Sequence, residues 1–230
     1  MLDEIEAVLA SAPPDADRDK YAAAIVEANC LQKPTASTRR SSNQRLGELY
    51  ALDPRVGLFR VLRQLWETDP VARPQLAMLG VLARDPLFMA SAQPVLSLLP
   101  GAELQRQQVR AALRALVGER MNDAVLDKVV RNVASSWTQT GHLEGRTFKI
   151  RARVQARPTS VAFALYLGQI AGFRGADLLT SAWVGALDCT PSSARALAVE
   201  AKRLGLIDVH TTGDVVEFGL DRLDPRLGRT

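Results

Sequence analysis

The residues best suited to bind a ligand form one polar run over 34–46, with the sequence PTASTRRSSNQRL. Arginine and asparagine side chains reach base edges and phosphates, and small residues let a helix backbone approach DNA closely. The residues expected to make such contacts are Arg39, Arg40, Asn43 and Arg45. The run therefore predicts a DNA-contacting helix start, although a solvated and well-capped helix has the same composition.

A second candidate segment, 147–154, alternates apolar residues with polar or basic ones. Because the side chains of a strand alternate between its two faces, we expect Phe148 and the other apolar residues on one face and the basic residues on the other. With the preceding turn, the expected phosphate contacts are Arg146, Lys149, Arg151 and Arg153. Charges of this kind also protect an exposed strand from edge-to-edge pairing, so both interpretations stay open.

The last third of the chain has the element order of a winged helix, three helices followed by a two-stranded hairpin. Helices are expected over 158–172, 175–187 and 192–205, and strands over 206–210 and 214–218. In the third helix we expect Leu197 and Leu204 to face the core.

The third of these helices offers Ser193 and Arg195 as further DNA contacts. The hairpin that follows is acidic, because it carries Asp208, Asp214 and Glu217, and these charges would repel phosphate. Winged helices also bind proteins, so direct DNA contact and protein contact are both open for this module.

Signatures of enzymes are missing from the sequence. The glycine-rich phosphate-binding patterns and the Gly-x-Ser-x-Gly nucleophile pattern do not occur. Two cysteines, Cys30 and Cys189, and two histidines, His142 and His210, are too few and too scattered for a disulfide framework or a metal site. We therefore expect a protein without enzymatic activity, cofactor or metal, in which His142 is structural.

The elements that must position these residues are mostly helices. Apolar residues recur at helical spacing through the first two thirds of the chain, and Asp-Pro pairs separate the segments. We expect Asp17 or Asp19, Thr35 or Ser37, and Asn122 to cap helices, and Val125 to lie inside. The expected fold is mainly α, a helical bundle with helix-turn-helix and winged-helix elements and small β-hairpins. The expected modules are 1–66, 67–157 and 158–230.

Composition and charge agree with a helical protein that meets an anion. Only 5% of the 230 residues are aromatic, so small aliphatic residues must build the core. The net charge is +4, but residues 33–63 hold seven basic and two acidic residues, and residues 128–157 hold seven and one. Such asymmetry favours a nucleic-acid partner, whereas a solvated basic face is the alternative. With 13 residues, the longest apolar stretch, 161–173, is too short to span a membrane. The expected location is the cytoplasm, with both thiols reduced.

Two segments resemble a known family. The segment NCLQKPTASTRRSSNQRLGELYAL (29–52) and the later TPSSARALAVEAKRLGLI (190–207) are similar to the BrxA-type small accessory proteins of BREX phage-exclusion systems. The resemblance implies an all-helical protein with winged-helix-like elements that binds DNA without catalysing a reaction. It transfers Arg39, Arg40 and Arg45 as candidate contacts, whereas the acidic C-terminal hairpin departs from it.

The sequence thus predicts a non-enzymatic protein that binds double-stranded DNA as an accessory of a phage-defence system. Larger defence-system proteins are expected as further partners. The alternatives are a winged-helix adaptor that contacts only protein, and a transcriptional regulator. RNA binding is disfavoured, because the strand alternation places Phe148 on the apolar face and leaves no aromatic stacking surface.

Overall fold

The computed structural model describes residues 2–213 and 215–227, and this part of the chain is mainly helical. Short 3-10 turns lie at Pro70–Ala72, Gly118–Arg120 and Gly175–Thr180. The α-helices are α1 (Leu2–Ser11), α2 (Arg18–Val26), α3 (Ala36–Tyr50), α4 (Gly57–Thr68), α5 (Arg73–Arg84), α6 (Pro86–Ala90), α7 (Ala92–Leu96), α8 (Arg106–Val117), α9 (Asp123–Gln139), α10 (Pro158–Ile170), α11 (Ala182–Gly185) and α12 (Pro191–Arg203).

The helices begin where short polar side chains can bind free backbone N–H groups. The Asp17 carboxylate accepts from Lys20 N at the start of α2, and Asn122 accepts from Val125 N at the start of α9. Thr35 exchanges hydrogen bonds with Thr38 in a capping box at the start of α3. The caps predicted at these three helices are therefore confirmed.

Helix α10 lies at the centre of the core. Its residues from Thr159 to Gly168 are all buried, and it packs against α4, α5, α11 and α12. The buried apolar side chains of the described chain form one cluster that extends from Ile5 to Leu223. The modules predicted over 1–66, 67–157 and 158–230 therefore share a core, while their boundaries stay a prediction.

Two antiparallel hairpins accompany the helices. One joins β1 (Leu143–Glu144) to β2 (Ile150–Arg151), and the other joins β3 (Asp208–Thr212) to β4 (Val215–Gly219). The predicted eight-residue strand over 147–154 is thus wrong, because only two of its residues pair with β1. The backbone at Glu103 pairs with Ile150 from the other side. Asp214, predicted to begin the last strand, lies outside the described residues.

Three further expectations about the helices are corrected. The segment 175–187 is a 3-10 turn followed by the four-residue α11, since Ser181 caps a new helix between them. Helix α12 packs on the core through Ala194, Ala198 and Ala201, so Leu204 is 59% exposed and Leu197 is only partly buried. In α9, Leu126 occupies the inner position and Val125 is exposed.

Candidate nucleic-acid interface

The start of α3 presents fewer free side chains than its sequence suggests. The Arg39 guanidinium is partly buried and donates to the Val26 carbonyl at 2.9 Å, so it ties α3 to the end of α2. The Asn43 amide oxygen accepts from Arg18 at 3.0 Å. Arg40 is exposed and, within the described part of the chain, has no hydrogen-bond or ion-pair partner. Of these predicted contacts, Arg40 alone is free to meet a phosphate without giving up an internal bond.

Arg45 stands on the flank of α3 and is half exposed. Its guanidinium binds the Asp85 carboxylate at 2.5 Å and approaches Glu48 at 3.5 Å. Asp85 is itself buried and caps α6 by accepting from Leu87 N. Arg45 therefore joins α3 to α6, and an incoming phosphate would have to compete with a buried carboxylate.

Arg151 is a structural residue, and its prediction as a phosphate contact is wrong. It is 3% exposed, and its guanidinium pairs with the Asp188 carboxylate and donates to the Ala152 carbonyl. The second oxygen of Asp188 accepts from Val154 N at 2.9 Å. The pair fastens the β1–β2 hairpin to the loop between α11 and α12. The strand alternation is thus inverted at this position, because Asp188 supplies a partner 37 residues later in the chain.

His142 completes this fastening from the β1 side. It is fully buried, with Nε2 at 2.8 Å from the Ala186 carbonyl and Nδ1 at 3.0 Å from the Thr140 hydroxyl. A carbonyl can only accept, so Nε2 carries a proton. Burial lowers the pKa of His142 to about 4, against the opposing effects of Ala186 and Asp188. The histidine is structural, as the sequence predicts.

The other basic residues of this hairpin lie at its surface. Arg146 and Arg153 are exposed and have no partner among the described residues. The Lys149 ammonium donates to the Gly145 carbonyl at 2.6 Å, which closes the turn but leaves its other protons available. The turn that connects β1 to β2, and the segment just after β2, therefore carry accessible positive charge, although β2 itself is only two residues long.

In the C-terminal module, both residues predicted to contact DNA form hydrogen bonds within the module. The Ser193 hydroxyl and Thr190 form the capping box at the start of α12. Arg195 is partly buried and lies 3.4 Å from the Thr211 hydroxyl of β3. On the hairpin, Asp208 pairs with Arg222, whose hydrogen bond holds the pKa of this carboxyl below its usual range. Glu217 is exposed, so this surface remains partly acidic.

Partner-free arginines are concentrated in the two basic blocks. Most described arginines pair with a carboxylate or donate to a backbone carbonyl, as Arg203 does with Glu200. Arg18 binds the Asn43 amide and Arg195 the Thr211 hydroxyl, so in the residues the structure describes the arginines with no hydrogen-bond or ion-pair partner are Arg40, Arg131, Arg146 and Arg153. All of them fall within 33–63 or 128–157, the segments with excess positive charge. These blocks therefore contain guanidinium groups available to an external anion.

A groove of about 410 Å³ brings a residue of each basic block to one surface, because it is lined by Arg45 of α3 on one side and by Asn132, Ser135 and Gln139 of α9 on the other. A second cavity of about 620 Å³ shares Arg45 with this groove but lies against the end of α8 and reaches Arg120. Arg131 of α9 lies one turn before Ser135 and is exposed.

The α9 residues Lys128, Arg131 and Asn132 were not predicted as contacts. The signal that could have found them is the excess charge of 128–157, which begins at this helix rather than at the hairpin. The pairing of α9 with the α3 side of a groove depends on tertiary contacts, which sequence periodicity does not give.

Two buried carboxylates attach the C-terminal third of the chain. Asp224 accepts two hydrogen bonds from Arg60 at 2.7 Å and one from the Tyr166 hydroxyl. Asp69 likewise accepts from Arg157 and Thr159. Burial alone would raise the pKa of each carboxyl, but these hydrogen bonds outweigh it and hold both pKa values below the usual range. They are structural clamps, and no reaction is assigned to them.

The described residues hold neither a candidate metal site nor a candidate membrane-spanning helix. Over residues 2–213 and 215–227, no three His, Cys, Asp or Glu side chains stand close enough to hold a metal ion. Among the helices described, none is both long and apolar enough to cross a bilayer. Comparison with protein-family models, with curated proteins and with solved structures finds no match.

Proposed function

We propose that this chain is a non-enzymatic protein that binds double-stranded DNA through the two basic blocks. The observation that carries the proposal is the coincidence of charge excess with partner-free guanidinium groups at Arg40, Arg131, Arg146 and Arg153. The other described arginines each bind a carboxylate, a backbone carbonyl or a polar side chain of the protein. Because guanidinium forks match phosphate geometry and duplex DNA is dense in phosphate, a duplex is the partner that such a surface fits best.

The resemblance to BrxA-type proteins extends this proposal to an accessory role in phage defence, with larger defence-system proteins as partners. In the C-terminal module, α10, α11, α12 and the β3–β4 hairpin follow one another in the order of a winged helix, which supports the same family of functions. Its candidate DNA contacts, Ser193 and Arg195, already bind within the module. We therefore assign the main DNA contact to the basic blocks.

The test is fluorescence-anisotropy binding to a random duplex of roughly 20–30 base pairs across a salt series. Each lost phosphate contact should lower the slope of log affinity against log salt by about 0.9. Replacing Arg40, Arg131, Arg146 and Arg153 together by Gln should therefore lower the slope by roughly 3 to 4.

A matched control removes the same total charge from arginines that are exposed but bonded. These are Arg174, Arg203, Arg222 and Arg226, each changed to Gln. We expect the control to keep a slope near that of the wild type. An equal loss in both variants, or no binding by the wild type at low salt, would overturn the proposal.

A second function, an adaptor that contacts protein, is favoured by the C-terminal module. Leu204 and Val215 are 59% and 62% exposed there, and an opening of about 620 Å³ lies between the β4 strand and the Gly175–Thr180 turn. Exposed apolar residues beside acidic ones suit a protein partner better than phosphate. If the wild type does not bind DNA, this function becomes the leading proposal.

A further inference from the structure

The turn that joins β1 to β2 exposes an aromatic ring. Phe148 is 66% exposed, whereas Phe59, Phe88 and Phe163 are buried. Phe173, also exposed in part, rests edge-on against Trp183. The Phe148 ring stacks on no other aromatic ring among the described residues. The expectation that Phe148 lies on an apolar face is wrong, because the strand pairing begins only at Ile150.

The ring stands on a braced turn. Gly145 has a φ of +90°, and a Cβ there would lie 2.2 Å from the Phe148 carbonyl oxygen, so the turn closes tightly at a glycine. At its base, Leu104 N donates to the Lys149 carbonyl at 2.7 Å. Glu144 and Glu103 flank Ile150 from either side. Three chain segments thus hold the base from which Phe148 projects.

Basic residues lie on the same turn as the ring, and two carboxylates lie at the base of the turn. Arg146 is two residues away and partner-free, and Arg106 reaches the same turn at 3.5 Å from the Thr147 carbonyl. Lys149 closes the turn from the other side. The exposed carboxylates of Glu103 and Glu144 sit at the level of Ile150. The turn of the hairpin therefore carries an apolar ring that is flanked in sequence by basic residues.

We propose that Phe148 is an aromatic wedge that inserts between base pairs of the bound duplex, with Arg146 and the remaining protons of Lys149 on the flanking phosphates. Proteins that bend DNA combine an apolar side chain that unstacks a base step with cations that hold the backbone on either side. The inference rests on the proposed DNA binding and adds to it a point of contact and a deformation of the duplex.

The test follows binding, bending and base unstacking on one duplex. The duplex carries a donor and an acceptor dye at its ends and 2-aminopurine at a flexible pyrimidine–purine step. With wild-type protein we expect energy transfer and 2-aminopurine fluorescence to rise together. Phe148→Ala should abolish both rises and weaken binding roughly tenfold, with the salt slope unchanged.

Three variants separate the wedge from other effects. Phe148→Leu keeps an apolar wedge and should retain most of the bend, whereas Arg146→Gln should lower the salt slope by about 0.9 and keep the bend. Leu99→Ala removes another apolar side chain, which is 77% exposed, and should change neither the bend nor the salt slope.

The outcomes distinguish this inference from the proposed function. Wild-type binding with a steep salt slope, but with bending and affinity untouched by Phe148→Ala, overturns the wedge alone. The wedge is also overturned if Phe148→Ala weakens binding to single-stranded DNA alone, a result that would assign the ring to stacking on unpaired bases. Failure of the wild type to bind DNA overturns both proposals, and Phe148-dependent binding to vesicles of phosphatidylserine and phosphatidylcholine would then assign the turn to a membrane surface.

Discussion

The two hairpins of this protein are built on opposite principles. In the β3–β4 hairpin, five residues pair on each strand, and Val209, Val216 and Phe218 face the core while their neighbours face outward. In the β1–β2 hairpin only two residues pair on each strand, a charged residue is buried, and Phe148 faces outward. One hairpin is held by apolar alternation, the other by polar bonds to distant segments.

This difference bears on function. The regular hairpin uses its apolar residues for stability and leaves an acidic surface. The irregular hairpin draws its stability from Asp188, Ala186 and the backbone near Glu103, which lie outside it. In its turn, the side chains of Arg146 and Phe148 make no hydrogen bond, ion pair or ring contact with the described residues, so they can meet a ligand.

The largest expected effect comes from breaking the ion pair that fastens the irregular hairpin. Asp188→Ala leaves Arg151 buried without its carboxylate and removes an acceptor from Val154 N. A buried charge without a partner costs about 3–5 kcal/mol, so we expect the free energy of unfolding to fall by that amount. Urea denaturation followed by circular dichroism measures it.

The matched control lies in the regular hairpin. Asp208→Ala breaks the ion pair with Arg222, in which the distance is 2.8 Å and both side chains are partly or well exposed. Solvent screens an exposed ion pair of this kind, so the control should change stability little. Equal losses from the two variants would contradict the contrast between the hairpins.

The next effect is a dependence of stability on pH. The pKa of His142 lies at about 4 in the folded protein, below its ordinary value of 6.5, because burial disfavours the imidazolium. The unfolded chain therefore binds more protons between these values, and stability is full above about pH 6.5 and falls as the pH drops towards 4. The difference between the two pKa values corresponds to a loss of about 3 kcal/mol in the free energy of unfolding.

Urea midpoints recorded from pH 7.5 to 4 test this loss, with His142→Asn as the comparison. The variant should be less stable at neutral pH and should lose less stability on acidification than the wild type. His210→Gln, at an exposed position on β3, serves as the control and should follow the wild type. If His142→Asn shows the full acid loss, the titrating group lies elsewhere.

Local rules in the sequence predicted much of the fold. Helix caps at Asp17, Thr35 and Asn122 follow from short polar side chains beside periodic apolar residues, and both ingredients are local. The regular hairpin was predicted from the order of the elements, with its first strand over 206–210, two residues before the observed Asp208–Thr212. The errors at Arg151 and Leu204 both arise from packing between elements. Arg151 is buried by its ion pair with Asp188, which is distant in sequence, and Leu204 is exposed because α12 packs through its small alanine face.

The candidate site was predictable only as a charge distribution. The blocks 33–63 and 128–157 contain every partner-free arginine of the described chain, so the sequence located the region. It did not separate Arg40 from Arg39, because the bond of Arg39 to the Val26 carbonyl depends on how α2 and α3 pack. Nor did the sequence predict that Phe148 is exposed, because the alternation argument assumed a strand longer than the two residues that pair with β1.

The smallest expected effect concerns the acidic residues of the two hairpins. Glu144 stands behind the turn that carries Phe148 and Arg146, and Glu217 stands on the regular hairpin. If DNA meets the irregular hairpin, Glu144→Gln removes a charge that repels nearby phosphates, and we expect affinity at low salt to rise about two- to threefold, consistent with one weakly screened charge. Glu217→Gln, equally conservative but remote from that turn, should leave affinity unchanged in the same anisotropy titration. A larger gain from Glu217→Gln would instead assign the DNA contact to the C-terminal hairpin, and the contrast between the hairpins would then carry the opposite functional meaning.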